Sequence, residues 1–558
     1  MKKLILLFIA IPVLLAAQNP APGKREPSTL PLDVPSDQVR KPSASQLPKI
    51  DLPEFVITGS ASINPPDVQK KEYDESGVYR RVAAENLVGN RDRQTPDLGD
   101  RFKQSLLLTG EGLNGVVMGS LGSFFTPSLW ASAGFANEGY DLSASARYWR
   151  TKGFTRFADG SRASMELNGS VIAQSESPFF DKARVGAHAL FDLQKYKFYG
   201  SASPAADRSA TGSGIRLAAR SGIDSPAQLQ VSAAFHTFNV ADTSSSVTEN
   251  HAAIGAGGEL PVFDAWTLDV HLKADMATLA GAGSRNTSLV ALTVGSKPVA
   301  LGAFFIQPAV SGYAVHGMND QQGSYFFPSM LFGYRGLKRH TLTLSYHPGV
   351  AFTSLRRAVA ANPYLSAQSV LRHPVDRLSL SAGIQSEWND WLVTDLRASH
   401  TSSTDVPLYA DSSGQRIWTL MYGGTTTMTS LRADAVANIT LNDYFAVSAT
   451  VRSAENSMLG RTPPYLAGFE GSVLYRHTFP WGIALTPSVS VVGPRKSAQV
   501  VSADVGTCFS ANIRAEYLGI SGIGVVLNIE NLFDQKYQVW NGYDAEPFRM
   551  SLGVAYRW

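Results

Sequence analysis

Cysteine is almost absent from this chain: Cys508 stands alone among 558 residues. An internal disulfide is therefore impossible, and a cysteine-rich metal site is excluded. Charge is also scarce. Asp, Glu, Lys and Arg make up 17% of the residues, where soluble domains carry about 25%. The formal net charge of +3 is too small to argue for a nucleic-acid partner or a strongly selective pore. Long apolar runs are missing as well. Beyond Leu15 no stretch reaches the roughly 18 unbroken apolar residues of a membrane helix. Apolar residues still account for 44% of the chain, spread in alternation.

The sets that would mark an enzyme are lacking too. The histidines are scattered from His188 to His477, with no His-Glu-x-x-His pair or other close metal spacing. Thr211-Gly212-Ser213-Gly214 reads as a turn and lacks the flanking pattern of a nucleophile elbow. Gly119-Ser120-Leu121-Gly122 has no phosphate-loop lysine after it. Acids such as Asp269, Asp434 and Glu470 alternate with apolar neighbours, as lumen-facing charges do. The chain is read as a non-enzyme with no cofactor and no metal.

What is present begins at the amino terminus. Met1-Lys2-Lys3, an apolar run from Leu4 to Leu15, and Ala16-Ala17 have the anatomy of a secretory signal peptide over residues 1–17. Residues 18–54 hold Pro20, Pro22, Pro27, Pro31, Pro35, Pro42, Pro48 and Pro53. Proline at this density denies both helix and sheet, so the segment reads as an extended periplasmic tether. Residues 55–102 are charged and lack a sustained period, apart from the extended run Phe55-Val56-Ile57-Thr58-Gly59.

From residue 103 to 558 the pattern changes to alternating segments separated by Gly, Asn, Asp, Ser and Pro. Clear cases are Leu142–Tyr148, Gln228–Phe235, Trp266–Leu272, Leu342–Tyr346, Leu378–Ile384 and Ile523–Ile529. The clearest is the last. Phe548, Met550, Leu552, Val554, Tyr556 and Trp558 share one face of a strand, with Arg549, Ser551, Gly553, Ala555 and Arg557 on the other. Apolar groups outside and polar groups inside suit a wall between lipid and a wet lumen. The reading is all-β: a transmembrane antiparallel β-barrel in the outer membrane of a Gram-negative-type bacterium, with membrane lipid around it. Roughly 20 residues per strand and turn give about 22 strands, within a range of about 16 to 24. Phe124-Phe125, Trp130, Tyr325-Phe326-Phe327, Trp388 and Trp391 fall at segment ends, where interface girdles belong.

Three stretches then carry a family resemblance. Asn531-Leu532-Phe533-Asp534 with Tyr537 resembles the carboxyl-terminal signature of TonB-dependent outer-membrane receptors. Asn362-Pro363-Tyr364-Leu365, and Pro463-Pro464-Tyr465-Leu466 followed by Gly493-Pro494-Arg495, resemble mid- and late-barrel segments of the same family. The likeness covers residues 360–558 well and the earlier barrel by pattern only. It implies an outer-membrane receptor-type barrel for uptake or passage of an unknown solute. It also implies that Tyr556 and Trp558 form the signal read by the barrel-assembly machinery, and that Phe55–Gly59 is an energy-coupling segment. Such a segment pairs with a TonB-type energy-coupling protein, or another envelope protein, by strand addition. Family members carry a plug domain before the first strand, and residues 55–102 are too few for a complete one. Either the chain is a plugless relative, or these residues are a reduced insert. A non-transporting outer-membrane scaffold that binds a partner is the alternative reading.

Overall fold

The computed structural model describes residues 112–558 except positions 138, 176, 178, 179, 223, 224, 226, 244, 264, 265, 282, 283, 390, 412, 441, 498–503 and 521. The expected signal peptide, tether, Phe55–Gly59 segment and barrel start at residue 103 lie outside the described residues.

A closed antiparallel barrel of 22 membrane strands fills the described chain, the number expected from the sequence. Each strand pairs with its sequence neighbour, beginning with Gly112–Gly122 against Thr126–Ala136. The ring shuts where Gly112–Gly122 pairs with Arg549–Arg557, Val116 opposite Arg557 and Gly122 opposite Ser551. Closure matters because lipid offers no partner to a bare backbone N–H or C=O, and a ring has no edge. Two short pieces, Val299–Leu301 and Gly349–Val350, extend the same sheet at its ends.

Side-chain alternation fixes what the wall shows on each face. On the last strand Met550, Leu552, Val554, Tyr556 and Trp558 are exposed on the outer face, whereas Ala555 is buried on the inner one. All six alternating segments read from the sequence lie in strands, for example within Tyr140–Thr151, Gln228–Asp242 and Trp266–Ala280. The aromatic expectation needs correction. Phe125, Phe326, Trp388 and Trp391 are exposed on the outside. Trp130, by contrast, is buried against Val116 and Val526 in the lumen. Tyr325 and Phe327 also face inward, their rings stacked at 6.0 Å. In a strand no three consecutive residues can all face lipid.

The two ends of the barrel differ. At one end the connections are tight, as at 264–265, 338–339, 390–391 and 521–522, where Gly522 takes a positive φ of 76° that the turn requires. The first strand enters and the last strand leaves here. At the other end lie long connections: 347–374, 405–424, 457–468, 493–507 and 531–548.

Candidate functional site: a loop lid over a polar lumen

The long connections do not stand out into solvent. Their described residues turn inward and pack together over their end of the barrel. Connection 347–374 starts the closure with a short helix, Leu355–Ala361, whose N-cap is Ser354. Ser354 Oγ accepts from Arg357 N at 3.1 Å, satisfying one free N–H of the first turn. Leu355 N instead donates to the carboxylate of Glu249, a buried wall residue on Ser246–Phe263. The helix buries Leu355, Ala358 and Val359 against wall residues that include Phe238, Val240, Val247 and Leu279.

Directly after the helix the wall grips the backbone. Arg208 on Asp207–Arg220 bonds Asp242 through Nε at 2.5 Å and Nη2 at 2.7 Å. Its remaining nitrogen, Nη1, donates to Pro363 O at 3.0 Å and to Leu365 O. Tyr196 Oη donates to Pro363 O at 2.5 Å. Further along, Gln321 and His373 exchange two bonds, Gln321 Nε2 to His373 O at 2.7 Å and His373 N to Gln321 Oε1 at 2.8 Å. His373 is fully buried, and its Nδ1 accepts from Thr353 N at 3.1 Å. Burial pulls its imidazole down to about 4.

Over this clamp sits an aromatic cluster drawn from four connections. Tyr364 stacks on Tyr543 with ring centroids 3.5 Å apart. Trp418 lies 5.2 Å from Trp540, and Tyr465 lies 4.4 Å from Trp540. Polar atoms at the edges are used: Trp418 Nε1 donates to Tyr465 Oη at 3.1 Å, and Tyr543 Oη to Arg416 O at 3.1 Å. Connection 198–206 is tied in by Tyr199 Oη donating to Asp544 O at 2.7 Å. Burial raises the hydroxyls of Tyr364 and Tyr543 well above the usual tyrosine range. Aromatic rings bury large area in few rotatable bonds, so four otherwise floppy connections settle into one packed unit.

The stretches singled out in the sequence meet here. Tyr364 belongs to the Asn362–Leu365 stretch, Tyr465 to Pro463–Leu466, and Trp540 and Tyr543 follow Asn531–Asp534. The carboxyl-terminal motif itself shapes the last connection. Asn531 (φ 48°) and Asp534 (φ 49°) are both left-handed, a conformation Asn and Asp tolerate. Asn531 Nδ2 donates to Gln535 O and Glu546 O at 3.0 and 3.1 Å, and Asp534 Oδ1 accepts from Phe548 N at 2.8 Å. Leu532 N donates to Ala511 O at 2.8 Å, while Phe533 stays exposed outside. Tyr537, the tyrosine of that motif, turns away from the membrane face. It packs against Ala467, Val492 and Cys508 inside the lid, and burial pushes its hydroxyl up to about 12. Tyr556 and Trp558 remain on the outer face, ring centroids 6.0 Å apart. The clamp residues Arg208, Asp242, Glu249, Gln321 and His373 carried no signal in the sequence, because each sits in an ordinary alternating or loop context.

Beneath the lid the lumen is lined by charge. Along strands Thr425–Asn438 to Arg549–Arg557 the arginines sit against carboxylates. Arg432 pairs Asp434 at 2.6 Å, Arg452 pairs Glu470 at 2.7 Å, and Arg476 and Arg514 share Glu516 at 3.1 and 2.5 Å. Arg549 bridges Glu530 and Glu546 at 2.5 and 3.1 Å.

No protein-family model matches the sequence, and no curated protein matches it. Solved structures do. The FrpB iron transporter from Neisseria meningitidis (F3-3 variant) is similar at a TM-score of 0.66, with 10% identity over 82% of this chain and 83% of that one. The copper transporter OprC aligns at 0.62, with 10% identity over 80% of each chain. The ferric yersiniabactin uptake receptor FyuA from Yersinia pestis aligns at 0.59, with 12% identity over 80% of each. The fold is therefore the outer-membrane barrel of TonB-dependent receptors, and the similar structures are transporters and receptors rather than enzymes.

Proposed function

We propose that this chain is a gated outer-membrane transporter of the TonB-dependent type, taking up a solute through its barrel. A wide lumen with polar, ion-paired walls, closed at its long-loop end by inward-folded connections, carries this reading. In outer-membrane barrels the long loops face outward and the short turns face the periplasm. The lid then closes the entrance, and solute passes when the unit around Tyr364 and Trp418 swings off the wall. Neighbours of the same fold move iron and copper species, which supports uptake as the task. A partner-binding scaffold has no use for a closable, charge-lined passage.

The amino-terminal segments fit the same task. Residues 18–54 form a tether after a cleaved signal peptide, and Phe55–Gly59 adds as a strand to a TonB-type protein. The test is single-channel recording in planar bilayers. The full chain should be ion-tight, and a chain with residues 350–372 replaced by a short Gly-Ser linker should conduct. A linker variant that folds, resists heat denaturation and still passes no current would sink the transport reading.

A further inference from the structure

One wall of the lumen breaks the pattern of matched charge. On strands Ala183–Lys197 and Asp207–Arg220, Arg184 faces Arg220 directly across the ladder, and His188 faces Arg216. Arg184 has Asp141 as partner. Arg216 and Arg220 make no ion pair among the described residues, and both are exposed on the inner face. Ile215 and Leu217 take the outer one. Two strands on, Lys273 and His251 share the single carboxylate of Asp275, at 2.8 and 3.1 Å. Arg184, Arg216, Arg220, His236 and Lys273 line an open recess of about 770 Å3, with Asp275 as its carboxylate.

Their placement is vertical. Arg220 ends its strand at the short-turn end. Arg216 sits four residues higher, about 13 Å at strand rise. His236 opposes His251 at mid-wall, and Arg356 of the lid helix reaches the wall beside Arg147 and Arg162. Basic side chains thus recur from the underside of the lid to the short-turn end: near the lid Arg162 is held by Asp192 at 2.9 Å, and toward the short turns Arg216 and Arg220 stand without an ion-pair partner among the described residues. On the opposite wall Arg432, Arg452, Arg476, Arg514 and Arg549 each have a carboxylate partner.

We propose that this wall is an anion-binding track, and that the solute carries carboxylate or phosphate groups. The inference rests on the transporter reading and names its cargo class. Guanidinium groups suit both oxyanions, because a planar fork of N–H donors matches two oxygens at once. The recess has the size of a small-molecule site. Two unpaired guanidinium groups a dozen ångströms apart let an anion step from one to the next without leaving positive surroundings.

The test is isothermal titration of the detergent-solubilised full chain at low salt, with citrate and inorganic phosphate as separate probes and sucrose as the neutral control. In detergent both ends of the barrel meet solvent. Citrate should bind the wild type, sucrose should not, and Arg216→Gln/Arg220→Gln should weaken citrate binding roughly tenfold or more. Arg432→Gln/Asp434→Asn, on the matched wall, should leave it unchanged. Phosphate binding without citrate would narrow the class to phosphate, and citrate alone would narrow it to polycarboxylates. Failure of both anions to bind the wild type, or equal binding by the Arg216/Arg220 variant, overturns the proposal. A barrel that conducts yet binds neither anion loses only the cargo class; one that binds anions yet never conducts loses the transport reading.

Discussion

Arg208 and Asp242 meet in a two-point ion pair, 2.5 and 2.7 Å long, at a place where the arginine side chain has no exposure to solvent. The guanidinium spends its remaining donor on the lid backbone at Pro363 and Leu365. One side chain therefore joins wall to lid: Asp242 balances its charge, and the lid carbonyls take its remaining N–H groups.

Removing one partner of such a pair costs about 3–5 kcal/mol, because the survivor is left charged and unpaired. Asp242→Ala should therefore loosen the lid while the barrel stays folded. Current should rise in bilayer recordings, and protease should cut within residues 350–372. Arg208→Met, which removes the buried charge and keeps the stem volume, should open the lid less than Asp242→Ala does.

Acid should open the lid through His373. Its imidazole titrates at about 4 in the closed state, against an ordinary value of 6.5. Protonation would break the Thr353 N to Nδ1 bond and place a charge in a fully buried site. A depressed histidine value means the open state takes the proton first. The contribution to closure is full above about 6.5, shrinks as pH falls, and is lost below about 4. A shift of this size is worth up to ~3 kcal/mol. Conductance should rise between pH 7 and 5 in the wild type and stay flat in His373→Gln. Identical profiles for the two would remove His373 from the account.

Truncating the aromatic cluster should act in the same direction and with similar size. Trp418 is almost fully buried among lid rings, and replacing a buried tryptophan by alanine costs about 3–5 kcal/mol. Trp418→Ala should lower the temperature at which tryptophan emission shifts red, well before the barrel itself melts.

Barrel closure has its own sensitive point. A side chain at Gly115 would run into the Trp558 ring, whose nearest atom lies 2.1 Å from an added Cβ. Backbone bonds between Gly115 and Trp558 close the seam there. Gly115→Val should slow the appearance of the heat-resistant barrel form on gels, as should deletion of Trp558. Gly119→Ala, with open space around it, should assemble like the wild type.

Legibility followed the range of the physics involved. Period-two alternation is local, so strands such as Trp266–Ala280 and the terminal Arg549–Arg557 could be read directly, along with the strand number near 22. The same locality misled where neighbours diverge. Tyr325-Phe326-Phe327 looked like one girdle, and the pleat splits it, with Phe326 exposed outside and the other two rings stacked inside. The place of Tyr537 had no local sign, because its partners Ala467, Val492 and Cys508 are distant in sequence.

The sequence by itself determined the wall: which residues face lipid, which face the lumen, and where the chain turns, since each is set by the alternation of adjacent side chains. Only the tertiary structure decided that the mouth is shut. Tyr364, Trp418, Tyr465 and Tyr543 meet there because separate connections return to one place, and Arg208 finds Pro363 across a gap of more than a hundred residues. Such contacts depend on how the closed ring sets its loops facing one another, and no local pattern records them.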